Sequence, residues 1–233
     1  RSQLKPKEDF KGIVLDLRNN PGGNGSFPAA LLGILGKAGE VYGGPTFGYR
    51  MTSYVRQMEE PQLLQEVVAE DISEGISIDV FKAMLDNTID NRKEHTPMYS
   101  YNIVRNDPKI QGFNNKMVVL TTADCVSACD MTMALIKGAN RAPIIGSYTN
   151  GTGAGFISSS NLNTEWSDSY KLLEARVPNH LFGRPGDPSV RIFGEDSVIE
   201  MDLENQPTTA DILYTPTIVD LIKNNTGWLD KAI

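Results

Sequence analysis

The sequence predicts an α/β fold, with an open, mainly parallel sheet and flanking helices, on three observations. Gly12-Ile13-Val14-Leu15-Asp16-Leu17 is a near-continuous apolar run, the pattern of a strand covered on both faces. A glycine-rich turn from Arg18 to Gly25 and a helical apolar period follow it. The same order of strand, turn and helix recurs at Met117-Val118-Val119-Leu120, Asp124 to Asp130, and the segment from Met131 onward.

In the first unit Ser26 is placed to cap a helix, Pro28 is tolerated in its first turn, and Phe27, Leu31, Ile34 and Leu35 form one stripe. In the second, Met131, Ala134 and Leu135 fall at i, i+3 and i+4, Gly138 is a stop, and Pro143-Ile144-Ile145-Gly146 reads as the next strand. The whole chain, 1–233, reads as one domain, and residues 40–115 read as a helical insertion or lid within it. Two helices are expected there, around Leu63, Leu64, Val67 and Val68 and around Phe81, Met84, Leu85 and Ile89. Aromatic and methionine residues such as Tyr49, Met51, Tyr54, Met98, Tyr99 and Tyr101 fit either a satellite core or an apolar substrate groove. Beyond Phe156 short apolar pieces, Tyr170 to Leu173 and Val190 to Phe193, predict a part rich in β-hairpins, and a helix is expected from Thr217 to the end.

With 29 acidic against 22 basic residues and a net charge of −7, the chain has no basic footprint for nucleic acid. No apolar stretch approaches the roughly 20 residues that span a bilayer, and the first residues lack the apolar segment of a signal peptide. The early start of the first strand suggests a piece of a longer protein. Cys125 and Cys129, with only His95 and His180 elsewhere, do not make a zinc site, which wants three or four convergent ligands. Both cysteines read as small packing residues.

The segment Asp124-Cys125-Val126-Ser127-Ala128-Cys129-Asp130 places a hydroxyl at the junction of strand and helix. There the free N–H groups of the first helical turn can stabilise an oxyanion. Ser127 lacks the flanking glycines of a G-x-S-x-G elbow, and a plain helix cap is the competing reading. Asn19-Asn20-Pro21-Gly22-Gly23 can bring bare backbone N–H groups close to a ligand, so that Gly23 and Ala128 could form an oxyanion hole. Asp130, one turn on, suits the helix N-terminus and reads as structural.

The strings from Gly12 to Gly23, Ser127-Ala128, Gly138 to Gly146, and Glu204-Asn205 with Ala210-Asp211-Ile212 resemble the core of the C-terminal-processing, or tail-specific, serine peptidases. The resemblance implies a crotonase/ClpP-like peptidase core, with Ser127 as nucleophile and the amides of Gly23 and Ala128 as oxyanion donors. Members with a Ser/Lys dyad carry lysine one residue after the glycine matching Gly151, where this chain has Thr152, and a threonine hydroxyl is no general base. The loop is more similar to the branch of the chlamydial protease-like activity factor and, more distantly, the tricorn core. In that branch a Ser/His/Glu triad implies Glu204 as the orienting acid.

The histidine of that branch precedes the first core strand. Neither His95 nor His180 matches it, so the triad is expected to be completed from an N-terminal part outside this chain. The implied partners are a peptide or protein substrate and a second copy in a homodimer, with no cofactor and no metal. The implied location is the periplasm or outside the cell. A non-catalytic ligand- or peptide-binding module of the same fold is the alternative. A phosphate loop at Gly151-Thr152-Gly153-Ala154-Gly155 lacks both G-x-G-x-x-G spacing and a following helical period.

Overall fold

The computed structural model describes residues 11–51, 78–100, 103–105, 112–158, 176–190, 192–194, 197–223 and 227. Strand β1 (Gly12–Asp16) leads through the glycine turn to helix α1 (Phe27–Leu35). Strands β2 (Val41–Gly43) and β3 (Thr46–Tyr49), helix α2 (Ile78–Asp90) and strand β4 (Ile103–Arg105) follow. A strand–helix–strand unit then runs through β5 (Lys116–Thr121), α3 (Ala128–Gly138) and β6 (Ile144–Gly146). The rest comprises β7 (Ala154–Ser158), β8 (Arg176–Gly183), α4 (Ser197–Met201), β9 (Ile212–Leu213) and α5 (Ile218–Ile222).

The result is a mixed α/β fold with a parallel sheet flanked by helices and a separate antiparallel sheet. The parallel sheet has the order β1-β5-β6-β9. Its register runs from Gly12 opposite Lys116 to Asp16 opposite Leu120, with Val119 opposite Ile144 and Ile145 opposite Ile212. The antiparallel sheet has the order β3-β8-β7, and β2 pairs with β4. Thus the chain after Phe156 is not only hairpins. β8 lies between β7 and the distant β3, and β9 returns to the parallel sheet, a strand the sequence reading does not anticipate.

Alternate residues of a strand face opposite sides of its sheet, and only one side of β1 is well covered. Ile13 and Leu15 pack with Met117, Val119 and Ile144 beneath Cys129, Met133 and Ile136 of α3. Val14, pointing the other way on this edge strand, is 38% exposed, so the expectation of a strand covered on both faces does not hold for β1. Helix α1 also differs in phase. Pro28 and Leu32 are buried, Leu31 and Leu35 half-buried, whereas Phe27 and Ile34 are exposed. The buried stripe therefore starts one residue later than predicted, set by contact with Leu135 and Tyr42. Ser26 holds the N-cap position without making a cap bond; its hydroxyl donates to Asn24 Oδ1 at 2.8 Å.

Helix α3 departs most from its predicted amphipathic form, because every residue from Ala128 to Ile136 is buried. The parallel sheet takes Cys129, Met133 and Ile136, α1 takes Leu135, and the cluster of Phe47, Tyr49, Met51, Met84 and Tyr99 takes Met131. That cluster settles the two readings of the aromatics in favour of packing for the residues described. Tyr99 is 1% exposed and stacks on Tyr49 with ring centroids 6.3 Å apart. The expected helix at Leu63 to Val68, Tyr54, Tyr101 and the apolar piece Tyr170 to Leu173 lie outside the described residues.

Arg141 closes the end of α3 away from Ser127. Its buried guanidinium donates to Leu35 O at 2.5 Å and Phe113 O at 2.6 Å, and sits 5.8 Å from the Phe113 ring centroid. Arg141→Met, which keeps the stem and removes the donors, should leave those carbonyls unsatisfied and cost about 1–3 kcal/mol in urea unfolding.

Candidate active site

Strand β5 ends at Thr121, and six residues later the chain passes through an elbow before α3 begins. Ser127 stands at that elbow with φ 58° and ψ −119°, a backbone conformation that L residues rarely adopt. It occupies the N-cap position but makes no cap bond with its side chain, so the plain-cap reading does not describe it. Its carbonyl accepts the N–H of Met131 at 3.0 Å, the first helical bond of α3.

The glycine turn packs directly against this elbow. Asn20 O accepts the N–H of Val126 at 3.1 Å, and Asn20 Oδ1 accepts the N–H of Gly22 at 2.9 Å. Gly22 has φ +95°, and a Cβ added there would lie 2.6 Å from Val126 O and 2.8 Å from Ser127 Cβ. Gly23, with φ +148°, faces open space. Neither its N–H nor that of Ala128 donates to another described residue. The structure therefore brings Gly22 against Ser127 and Ala128, with Gly23 the next residue of the turn.

Cys125 and Cys129 are buried, as expected, but they are joined in a disulfide across Ser127 rather than packing as free thiols, with Cα atoms 5.2 Å apart. A bridge closing so short a loop removes chain entropy from the unfolded state worth about 2 kcal/mol. Cys125 precedes the elbow and Cys129 lies in the first turn of α3, so it is the reversal of the chain at Ser127 that brings the two sulfurs together.

The loop from Thr149 to Gly153 is tied at both ends. Asn150 N–H donates to Cys125 O at 2.9 Å, and the N–H groups of Gly151 and Thr152 donate to the two oxygens of Asp130 at 2.9 and 3.2 Å. That carboxylate is 1% exposed, and the Thr149 hydroxyl and the Ser127 N–H lie beside it without a hydrogen bond of normal length. Burial pushes the Asp130 carboxyl above its usual range, and these four neighbouring groups pull it down. Asp130 thus has a larger part than the electrostatic helix cap read from the sequence. The cue was present in an acid one turn after the serine.

Glu204 reaches the same loop from its far side. Its Oε2 accepts the N–H of Gly153 at 2.8 Å, and its own N–H donates to Asp202 Oδ1 at 2.8 Å. Asn205 N–H donates to Gly151 O at 2.8 Å. A Cβ at Gly153 would fall 2.2 Å from Glu204 N, so glycine is needed for this approach. Thr152 turns its hydroxyl to Asn150 Oδ1 at 2.5 Å.

The two histidines sit on the antiparallel-sheet side. His95 is half-buried and bridged through its backbone to Arg50. His180 pairs through its backbone with Tyr49 and Gly155. The Asp202 carboxyl is raised above its usual range by burial first and Glu204 next, with donated N–H groups and the charge of His95 opposing. No group of three metal-ligating side chains occurs among the described residues.

Residues 2–180 match the model of peptidase family S41, and the chain belongs to that family of serine-type peptidases. Solved structures similar in fold include mature CPAF, with TM-score 0.69 and 17% identity over 97% of this chain and 43% of that one. Mature CPAF complexed with lactacystin gives 0.63 and 18% over 97% and 44%. A protein from Parabacteroides merdae gives 0.54 and 11% over 97% and 51%. The chain spans less than half the length of the CPAF chains it matches. No curated protein sequence matches it significantly. No helix among the described residues is long and apolar enough to cross a membrane.

The tight fit of Gly22 makes it the sensitive point of the elbow. Gly22→Ala should lose about 1–3 kcal/mol of stability, because the new methyl meets Val126 O and Ser127 in a strained backbone region. Gly23→Ala, whose methyl meets nothing but which also puts an L residue at φ +148°, should carry the backbone strain without the clash and lose less in the same thermal unfolding assay.

Proposed function

We propose that this chain is the catalytic core of a serine endopeptidase that cleaves peptide bonds through an acyl-enzyme on Ser127. The observation that carries the proposal is the left-handed Ser127 elbow, with a side chain that does not cap the helix on which it sits. A strained, non-glycine residue at a strand–helix junction is characteristic of functional sites. The neighbouring N–H groups of Gly23 and Ala128, which bond to no other described residue, are suited to an oxyanion.

Glu204 orients the Nδ1–H of a histidine supplied from outside these 233 residues. That imidazole accepts the Ser127 proton as Oγ attacks the scissile carbonyl carbon. The tetrahedral oxyanion is held by Gly23 and Ala128, then collapses as the imidazolium returns the proton to the leaving amine and the C–N bond breaks. Water, deprotonated by the same imidazole, attacks the ester, and Ser127 leaves with its proton restored. The Gly153 N–H held on Glu204 Oε2 supports this role by fixing one carboxylate oxygen and leaving the other for the imidazole.

The same reading makes residues 1–233 one crotonase/ClpP-like domain with an insertion at 40–115, working on a peptide or protein substrate, in a homodimer, in the periplasm or outside the cell. The disulfide supports an oxidising compartment. In the full-length protein, Ser127→Ala should reduce hydrolysis of fluorogenic casein to background, and Glu204→Gln should lower kcat about 10⁴-fold, by analogy with the acid of other triads. Casein hydrolysis unchanged in Ser127→Ala would contradict the proposal.

A further inference from the structure

We infer that Asp130 is a positioning residue of this site, a buried carboxylate that holds the Ser127 elbow and the 149–153 loop in one fixed relation. The inference rests in part on the reading of Ser127 as nucleophile. The first turn of α3 and the distant 149–153 loop meet at this one side chain. Asp130 itself stands in the first turn of α3, directly after the elbow, and the loop donates to it the N–H groups of Gly151 and Thr152 at 2.9 and 3.2 Å. The segment after β8 joins one step further on, because Gly153 N–H donates to Glu204 Oε2 and Asn205 N–H donates to Gly151 O. Thr149 and Thr208 reinforce the far side by exchanging bonds, Thr149 N–H to Thr208 O at 3.0 Å and Thr208 N–H to Thr149 Oγ1 at 2.9 Å.

An ionised carboxylate only accepts, and here each of its two oxygens takes one N–H, Oδ1 from Gly151 and Oδ2 from Thr152. No amide can do this, since half of its polar atoms are donors. Asp130 does not touch the reacting atoms in this scheme. It acts by holding the loop against the first turn of α3 beside Ser127 and so, through Gly153, the carboxylate of Glu204 at the separation that a bridging imidazole needs, where misplacement by about 1 Å can cost 10²-fold.

Asp130→Asn in the full-length protein is the test, read in two ways. Amide hydrogen exchange of the peptide containing Gly151 and Thr152 should rise at least tenfold while circular dichroism stays native. Inactivation by a fluorophosphonate should show kinact at least tenfold lower with KI within threefold, a split that general loosening of the fold would not produce. Exchange and kinact both within twofold of the parent would overturn the inference, as would an effect confined to KI. Faster exchange in a protein whose labelling never depends on Ser127 would refute the nucleophile reading and leave the positioning role standing. If Asp130→Asn does not fold, Asp130→Glu, which keeps the charge but moves the oxygens by one methylene, should raise the same exchange about threefold, and no change there would overturn it.

Discussion

The left-handed backbone of Ser127 is the constraint on which the rest of the site depends. Holding an L residue in such a region costs about 1–3 kcal/mol, which the surroundings must offset. They do so from several directions. Asn20 O holds Val126 N–H from the glycine turn, and Cys125 O holds Asn150 N–H from the loop. Gly22 leaves room that no methyl could share. The disulfide between Cys125 and Cys129 ties the strand side of the elbow to the first turn of the helix. The conformation at Ser127 therefore records the docking of three separate segments.

Burial of α3 on all sides makes that docking rigid. Packed by the parallel sheet, by α1 and by the Tyr99 cluster, the helix cannot shift to relieve strain at its N-terminus. Asp130 lies in the first turn of this immobile helix, so its carboxylate is a fixed point to which the 149–153 loop is hung. A buried carboxylate is costly, and among the described residues its compensation comes from the N–H groups of Gly151 and Thr152.

The local elements were legible in the sequence because their causes are local. Apolar runs marked β1, β5 and β6, Gly138 marked the end of α3, and the two glycines after Pro21 marked the turn against the elbow. What could not be read was set by partners far along the chain. The pairing of Thr46 with Gly183 and the return of Ile212 beside Ile145 join distant segments with no short-range signal. The one-residue shift in α1 came from the position of Leu135, and the exposure of Val14 from the edge place of β1. For the site, Ser127, Gly23, Ala128 and Glu204 were picked out by residue type and motif. The reach of Glu204 to Gly153 and the convergence on Asp130 appear only when the loop is folded.

The central claim is that the elbow makes Ser127, among all the serines, the reactive one. The most direct measurement is peptide mapping by mass spectrometry of the full-length protein after stoichiometric reaction with a fluorophosphonate. A single adduct on Ser127, in the peptide holding the Cys125–Cys129 bridge, is the predicted result. An adduct on another residue, or none in a protein that hydrolyses casein, would contradict the account.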